Sequence, residues 1–331
     1  MGTYKEIRGT HIVSVTSDPP SPVNGQMWYN STERVVKGFT SNPAGTWATG
    51  GSTNRARSFL TGTGIQTAAL AVGGTVEPGS QIGDTESYNG TSWTELNDLN
   101  TSRAQLGSGG TYTSSLVFGG LPPGSTANTE SWDGSSWTEV NNLNTSRRNL
   151  AGAGTDNEAC LAFGGQTPAP SRTANTESWN GSSWTEVNNL NAAKSAVGSA
   201  GTETAALTFG GNIPSLSPSI QSQTESWNGT SWTEVNDLNT SRNLVAGAGT
   251  YTSALAFGGN TPPNTAKTEL WNGTSWSEQN DLSTARNSLG GAGADNTSAL
   301  AFGGADSDTT KTAVSEEWTA PTTSTVTFTV S

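Results

Sequence analysis

Along most of this chain the apolar residues come in runs of four to six, interrupted by Gly, Asn, Ser and Thr. Such runs are too short and too often broken for helices, and they predict β-strands. One stretch displays the pattern nearly complete. It begins Thr224-Glu225-Ser226-Trp227-Asn228-Gly229-Thr230-Ser231-Trp232-Thr233-Glu234-Val235, passes through Arg242 and closes on Ala254-Leu255-Ala256-Phe257-Gly258-Gly259. The glycine pair recurs at Gly73, Gly119, Gly164, Gly210, Gly258 and Gly303, always 45 to 48 residues apart. The second tryptophan keeps the same rhythm at Trp47, Trp93, Trp137, Trp184, Trp232 and Trp276. A fixed period of this length marks a repeat architecture, here of six units.

Each unit supplies four strand-length segments. Asn-Gly between two aromatic segments suits the positive φ angles of a tight hairpin turn, which joins the last two strands. A small-residue segment such as Leu244-Val245-Ala246-Gly247-Ala248-Gly249 suits a crowded inner rim, and Ser253-Ala254-Leu255-Ala256-Phe257 is the apolar strand beside it. Four short antiparallel strands per repeat is the content of a propeller blade. The expected fold is therefore all-β, a six-bladed β-propeller. Trp47 opens the array as an outer strand without a partner and Trp318 ends it as a third strand without a hairpin mate, so one blade should be shared between the two ends. That closure removes free edges.

The unit resembles the kelch repeat: a small-residue inner strand, an apolar strand ending in Gly-Gly, an aromatic before a turn and a Trp after it. The resemblance covers roughly Trp47 to Trp318 and implies a kelch-like propeller. The turn is shorter than is usual for kelch, and Trp stands for the usual Tyr except at Tyr88. A basic residue follows each second Trp, at Arg57, Arg103, Arg147, Lys194, Arg242 and Arg286. Kelch relatives that bind acidic peptides use arginines facing a ligand cup, so the resemblance implies a candidate ligand-binding ring at these six positions. The other reading of the ring is framework, each Arg stacking on a neighbouring Trp and bonding to loop carbonyls. Loops after Gly-Gly vary, notably Leu121-Pro122-Pro123-Gly124, Gln166-Thr167-Pro168-Ala169-Pro170 and 212–223, and belong to the same face.

Outside the repeat, a short N-terminal module occupies 1–38, the propeller 39–319 and a C-terminal tail 320–331. The module holds a possible strand at His11–Val15 and then Val23-Asn24-Gly25-Gln26-Met27-Trp28-Tyr29-Asn30-Ser31-Thr32. The latter resembles a leader segment of tailed-bacteriophage virion proteins. The resemblance implies a virion location, with Trp28 and Tyr29 as candidate attachment residues and other virion proteins as partners through residues 1–38; packing under the propeller is their other reading. Val326, Phe328 and Val330 alternate with threonines, the pattern of a half-buried strand expected to pair with the N-terminal one.

Composition changes this picture little. With 41 glycines and 31% hydrophobic residues among 331, burial must concentrate in the 12 tryptophans and the regular Leu and Phe positions. A net charge of −12 argues against nucleic acid as partner, and no apolar run approaches a membrane span. The lone Cys160 allows no internal disulfide, and the lone His11 lies outside the repeats, which argues against a histidine triad or a multi-histidine metal site. Glu86, Glu130, Glu177, Glu225 and Glu269 recur once per unit, as framework residues do, whereas a catalytic pair should break the repeat. Ser131-Trp132-Asp133-Gly134-Ser135-Ser136-Trp137 is similar to the Asp box of sialidases but lacks a residue between Asp and Gly. No enzyme, cofactor or metal is expected. The reading is a virion adhesin displaying its propeller to a host surface glycan; a collar or capsid-decoration subunit and a glycan hydrolase are the alternatives.

Overall fold

A computed structural model describes residues 12–23, 25–42, 44–121, 124–169, 171–306 and 309–328, and among them every regular element is a strand. Six four-stranded antiparallel sheets follow one another as blades. In blade I the strands from the axis outward are Thr61–Ile65, Ala68–Val72, Thr85–Tyr88 and Trp93–Glu95, with a two-residue hairpin, Thr75–Val76 and Ser80–Gln81, beside them. Blades II to V, within 107–140, 151–187, 198–235 and 246–278, repeat that order. Blade VI is composite: Gly290–Asp295, Ser298–Phe302 and Ser315–Thr319 are completed by Thr46–Thr49 as the outer strand, with Trp318 opposite Trp47. The ring closes by pairing its first strand with its last blade, as the missing half-units required.

The core lies between blades. Leu116 and Phe118 of blade II pack with Cys160, Ala162, Trp179 and Trp184 of blade III, and each of the other interfaces repeats the arrangement. At five of the six junctions the second tryptophan packs against the phenylalanine of the preceding blade, Trp184 on Phe118 with ring centroids 4.9 Å apart and Trp232 on Phe163 at 4.9 Å, whereas Trp137 meets Val72. Its indole N–H also reaches back, Trp184 Nε1 donating to Thr129 Oγ1 at 3.1 Å and Trp232 Nε1 to Thr176 Oγ1 at 3.1 Å. A side chain that buries a large apolar surface and satisfies its one donor suits a blade interface. Cys160 is fully buried there, its thiol pushed well above its ordinary pKa by burial.

The hairpin differs from the expected tight turn. Pairing of Trp132 with Trp137 leaves four residues in the loop, and in the Asn-Gly copies only the glycine has positive φ, as at Gly90 (+88°). The asparagine acts through its side chain instead: Asn89 Oδ1 accepts the Thr91 and Ser92 amides at 2.9 Å each, and Asp133 Oδ1 accepts those of Ser135 and Ser136 at 2.8 Å. Asx capping of this kind explains why Asp and Asn interchange here. The segment similar to an Asp box is a turn closure.

The Gly-Gly pair closes the second strand in a left-handed conformation. Gly73 has φ +65°, and a Cβ on it would stand 2.5 Å from the Arg103 carbonyl oxygen, so only glycine fits.

The second unit comprises residues up to Gly45 together with 320–331. Its sheet orders Val13–Val15, Met27–Asn30, Val35–Asn42 and Thr322–Phe328. The boundary therefore falls after Gly45 instead of after 38, because the strand Val35–Asn42 runs across that position. The C-terminal strand pairs with Val35–Asn42, not with the strand at Val13–Val15. Backbone pairing over seven residues outweighs anything the three-residue strand could offer. His11 lies outside the described residues, as do Pro122, Pro123 and Pro170.

Candidate functional site

Two rims of the ring could meet a ligand, and the basic positions were expected at one of them. The structure places all six in the interior instead: Arg57, Arg103, Arg147, Lys194, Arg242 and Arg286 are at most 1% exposed. Arg103 shows why. Its Nη1 donates to the carbonyls of Gly119 at 2.9 Å and Asn128 at 2.7 Å, and its Nη2 meets Glu130 Oε1 at 2.7 Å. The other carboxylate oxygen of Glu130 accepts the Asn100 amide at 2.7 Å. Arg103 thus leaves blade I through the linker and locks onto the second and third strands of blade II. Its own carbonyl accepts the Gly74 amide of blade I at 2.8 Å, so one residue staples two blades.

Arg147 with Glu177, Arg242 with Glu269 and Arg286 with Glu316 repeat the device at 2.7, 3.0 and 2.9 Å, and Arg57 meets Glu86 at 2.9 Å. Burial pulls every one of these guanidinium pKa values below the ordinary one, while the facing glutamate raises it again. Lys194 makes only the contact with Glu225, at 2.8 Å. The candidate ligand-binding ring is therefore framework. A planar fork with five donors can satisfy two carbonyls and a carboxylate at once, which is why arginine occupies five of the six places.

Above the staples a second ring encircles the axis. Phe59, Gln105, Asn149, Ala196, Leu244 and Ser288 all have positive φ, from 49° to 59°. Each donates its amide to the carbonyl of the equivalent residue in the preceding blade: Gln105 to Phe59, Asn149 to Gln105, Ala196 to Asn149, Leu244 to Ala196, Ser288 to Leu244 and Phe59 to Ser288, at 2.8 to 3.1 Å. The bonds form a closed cycle. Of these residue types only Asn favours the left-handed region, so nothing in the sequence signalled it. The ring narrows that mouth to a cavity of ≈ 80 Å³, whereas the channel beyond it, walled by the innermost strands, holds ≈ 410 Å³. Outside the cycle, Arg148 reaches Gln166 Oε1 at 3.2 Å, and Arg172 reaches Ser195 Oγ at 3.2 Å and Asn212 Oδ1 at 3.1 Å. These two half-buried arginines break the repeat.

The opposite rim carries the turns between the first and second strands. Here the side chains vary from blade to blade. Tyr112, Glu203 and Tyr251 occupy equivalent places, their carbonyls accepting the indole N–H of Trp132, Trp227 and Trp271 at 3.2, 3.0 and 3.0 Å. Tyr112 is 46% and Tyr251 45% exposed. They belong to blades II and V, which face one another across a six-fold ring. Sequence reasoning passed over them because they lie in a turn between two regular strands; their signal was an aromatic residue between two threonines, Thr111 and Thr113 or Thr250 and Thr252, where Glu203 stands between Thr202 and Thr204.

Trp28 is buried and its Nε1 donates to Asp18 Oδ1 at 3.0 Å, so it is a core residue of the small unit and not an exposed attachment residue. Tyr29, on the other face of the same strand, is half-buried. Asp18 also accepts from Asn30 Nδ2 at 3.0 Å and Lys37 Nζ at 2.8 Å. These partners, Lys37 first, hold its pKa down to about 2.

Among the described residues Asp84, Glu95 and Asp98 bring carboxylate oxygens within 4.8 Å of one another. Protein groups already occupy two of them: Asp84 pairs with Arg55 at 3.0 Å and Asp98 accepts the Thr85 amide at 3.3 Å. Burial, then Asp84 and Asp98, raise the Glu95 pKa.

Among solved structures the chain is similar to that of YjhT, with a TM-score of 0.69 over 82% of this chain and 99% of that one, at 13% identity. The fold is a β-propeller. At that identity the likeness extends to the architecture of four-stranded blades alone. No family model matches the chain, and no curated protein matches it.

Proposed function

We propose that this chain is a virion structural protein of a tailed bacteriophage, a surface adhesin whose small unit attaches it to the particle and whose propeller meets the host. The repeat is read as a divergent kelch repeat on its Gly-Gly, Trp and Arg positions. The observation that carries the reading is the leader, Val23 to Thr32, lodged in a unit separate from the ring and built from residues at both ends of the chain. A ring whose ionic residues are consumed by blade stapling and whose turn tips vary suits display of a binding surface. With the six basic positions sealed, an anionic-glycan cup has no place in this account. The contact surface is assigned instead to the turn rim with Tyr112 and Tyr251, aromatic side chains that offer apolar area at small entropic cost.

Immunogold labelling of purified particles with an antibody against the propeller should decorate the virion, and deletion of residues 1–45 should abolish that decoration. Absence of label from intact particles would refute the location. Tyr112→Ala together with Tyr251→Ala should lower host-cell binding at least tenfold with the ring still folded; unchanged binding would move the contact surface to the loop rim, where Arg148 and Arg172 lie.

A further inference from the structure

From the junction between blades III and IV we infer that the protein binds one buried water molecule, held between Lys194, Thr208 and the carbonyls of Gly210 and Gln223. This junction differs from the others at two places. Lys194 stands where the other five have arginine, and Thr208 stands on the second strand where the other blades have Ala71, Val117, Ala162, Ala256 and Ala301, each opposite the glutamate of its staple. The one polar residue at that place thus belongs to the one blade stapled by lysine. Thr208 lies opposite Glu225, so both side chains project to the face that Lys194 enters.

The polar groups on that face outnumber their protein partners. Thr208 is fully buried, and its Oγ1 has no hydrogen-bond partner among the described residues. Lys194, equally buried, meets Glu225 Oε1 at 2.8 Å and reaches no carbonyl, although an ammonium carries three donors. Glu225 Oε2 is taken by the amide and Nδ2 of Asn191, both at 2.8 Å. In the arginine junctions Nη1 donates to two carbonyls, those of Gly119 and Asn128 for Arg103 and those of Gly258 and Lys267 for Arg242. Gly210 and Gln223 are their counterparts in blade IV. Blade II gives the measure of room: Val117, an isostere of threonine, coexists there with the whole Arg103 side chain. Threonine therefore does not take the place of the guanidinium, and lysine, with about two non-hydrogen atoms fewer, leaves space for a water. A buried water makes about three hydrogen bonds to polar groups that the protein leaves unpaired. This one accepts from Lys194 Nζ and the Thr208 hydroxyl and donates to the carbonyls of Gly210 and Gln223, so one lysine and one water make the contacts of one guanidinium.

A high-resolution crystal structure of the full chain should show the water within hydrogen-bond distance of all four groups. Density without it, with Lys194 bonded directly to either carbonyl or Thr208 Oγ1 bonded to a protein group, would overturn the proposal. Thr208→Val, which restores the shape found in blade II, removes a partner of the water and should lower the urea midpoint of the parent. In Lys194→Arg the fork fills the site, the hydroxyl is left unpaired, and the same substitution should not lower the midpoint. A midpoint that does not fall in the parent, or that falls in both backgrounds, would overturn the proposal as well.

Discussion

The propeller and the small terminal unit bury ionic groups in opposite ways. In the ring the same staple occurs at every junction, an arginine or lysine against a glutamate from the next blade, both sealed from water. In the small unit a single cluster gathers Asp18, Trp28, Asn30, Glu33 and Lys37 at the margin of a thin sheet. Glu86 in the ring and Asp18 in the small unit are shifted in opposite directions. Burial raises the Glu86 pKa in blade I, ahead of the counter-effects of the Asn54 amide and Arg57. Around Asp18 the hydrogen bonds from Lys37, Trp28 and Asn30 outweigh desolvation and lower it. Repetition lets the ring tolerate costly buried charge, because each of the five arginine pairs also satisfies carbonyls left at a strand end. The small unit has no neighbour to share with and relies on donors aimed at one exposed carboxylate.

The largest effect should come from cutting between the two regions at two places. Removing residues 1–45 deletes most of the small unit but spares the strand Thr46–Thr49, and the ring should still unfold cooperatively in urea with little change in midpoint. Removing residues 1–51 takes away that strand with Trp47, opens blade VI and exposes Phe257 and Trp318, against which Trp47 packs. Loss of one such aromatic alone costs on the order of 3–5 kcal/mol. Equal midpoints for the two truncations would show that the shared blade does not close the ring.

Next in size are the staples. Arg103→Ala leaves Glu130 buried without its partner and should destabilise by about 3–5 kcal/mol. Arg103→Met combined with Glu130→Leu should recover much of that loss, since an apolar pair of similar volume needs no compensation. The cycle is read from denaturant midpoints. A double variant as unstable as the single one would mean that the carbonyl contacts of Arg103, not the ion pair, hold the junction.

How much of this was legible follows the same division. The blade count, the shared closing blade and the framework glutamates were all readable, because six copies average away local noise and leave only positions that packing demands. The arginines were readable as a ring but not as to facing: a basic residue at a blade junction reads alike whether it points to the axis or into the neighbouring blade, and only the carbonyls of Gly119 and Asn128 decide it. The left-handed cycle through Phe59 and Leu244 had no sequence mark, since closure around the axis imposes it. Trp28 was legible as an aromatic in a motif, yet its burial depends on Asp18, ten residues away and part of no repeat.

Blade IV sharpens the comparison among staples at smaller cost. Lys194 has one compact ammonium where the other junctions have a fork, so the carbonyls of Gly210 and Gln223 lack the donor that their counterparts receive from Arg103 or Arg147. Lys194→Arg should add those bonds and stabilise the ring by about 1.5 kcal/mol. A lower urea midpoint for this variant would instead mean that blade IV has repacked around the shorter side chain, with Thr208 filling the place taken by Ala71, Ala162 or Ala256 elsewhere.

The smallest effect concerns pH and the small unit alone. Asp18 has a folded pKa lowered from 3.8 to about 2. A depressed carboxylate stabilises the folded state fully above its unfolded pKa and loses that contribution as the pH falls through its folded value. The window for Asp18 therefore runs from about pH 4 down to about pH 2, and within it the small unit should loosen. Hydrogen exchange of peptides covering 13–42 should quicken across that window in the parent. Asp18→Asn, which keeps a hydrogen-bond acceptor but cannot ionise, should exchange faster than the parent at neutral pH and lose the dependence below pH 4. An unaltered acid profile in that variant would show that Asp18, despite its three donors, does not hold Trp28 and Lys37 in place.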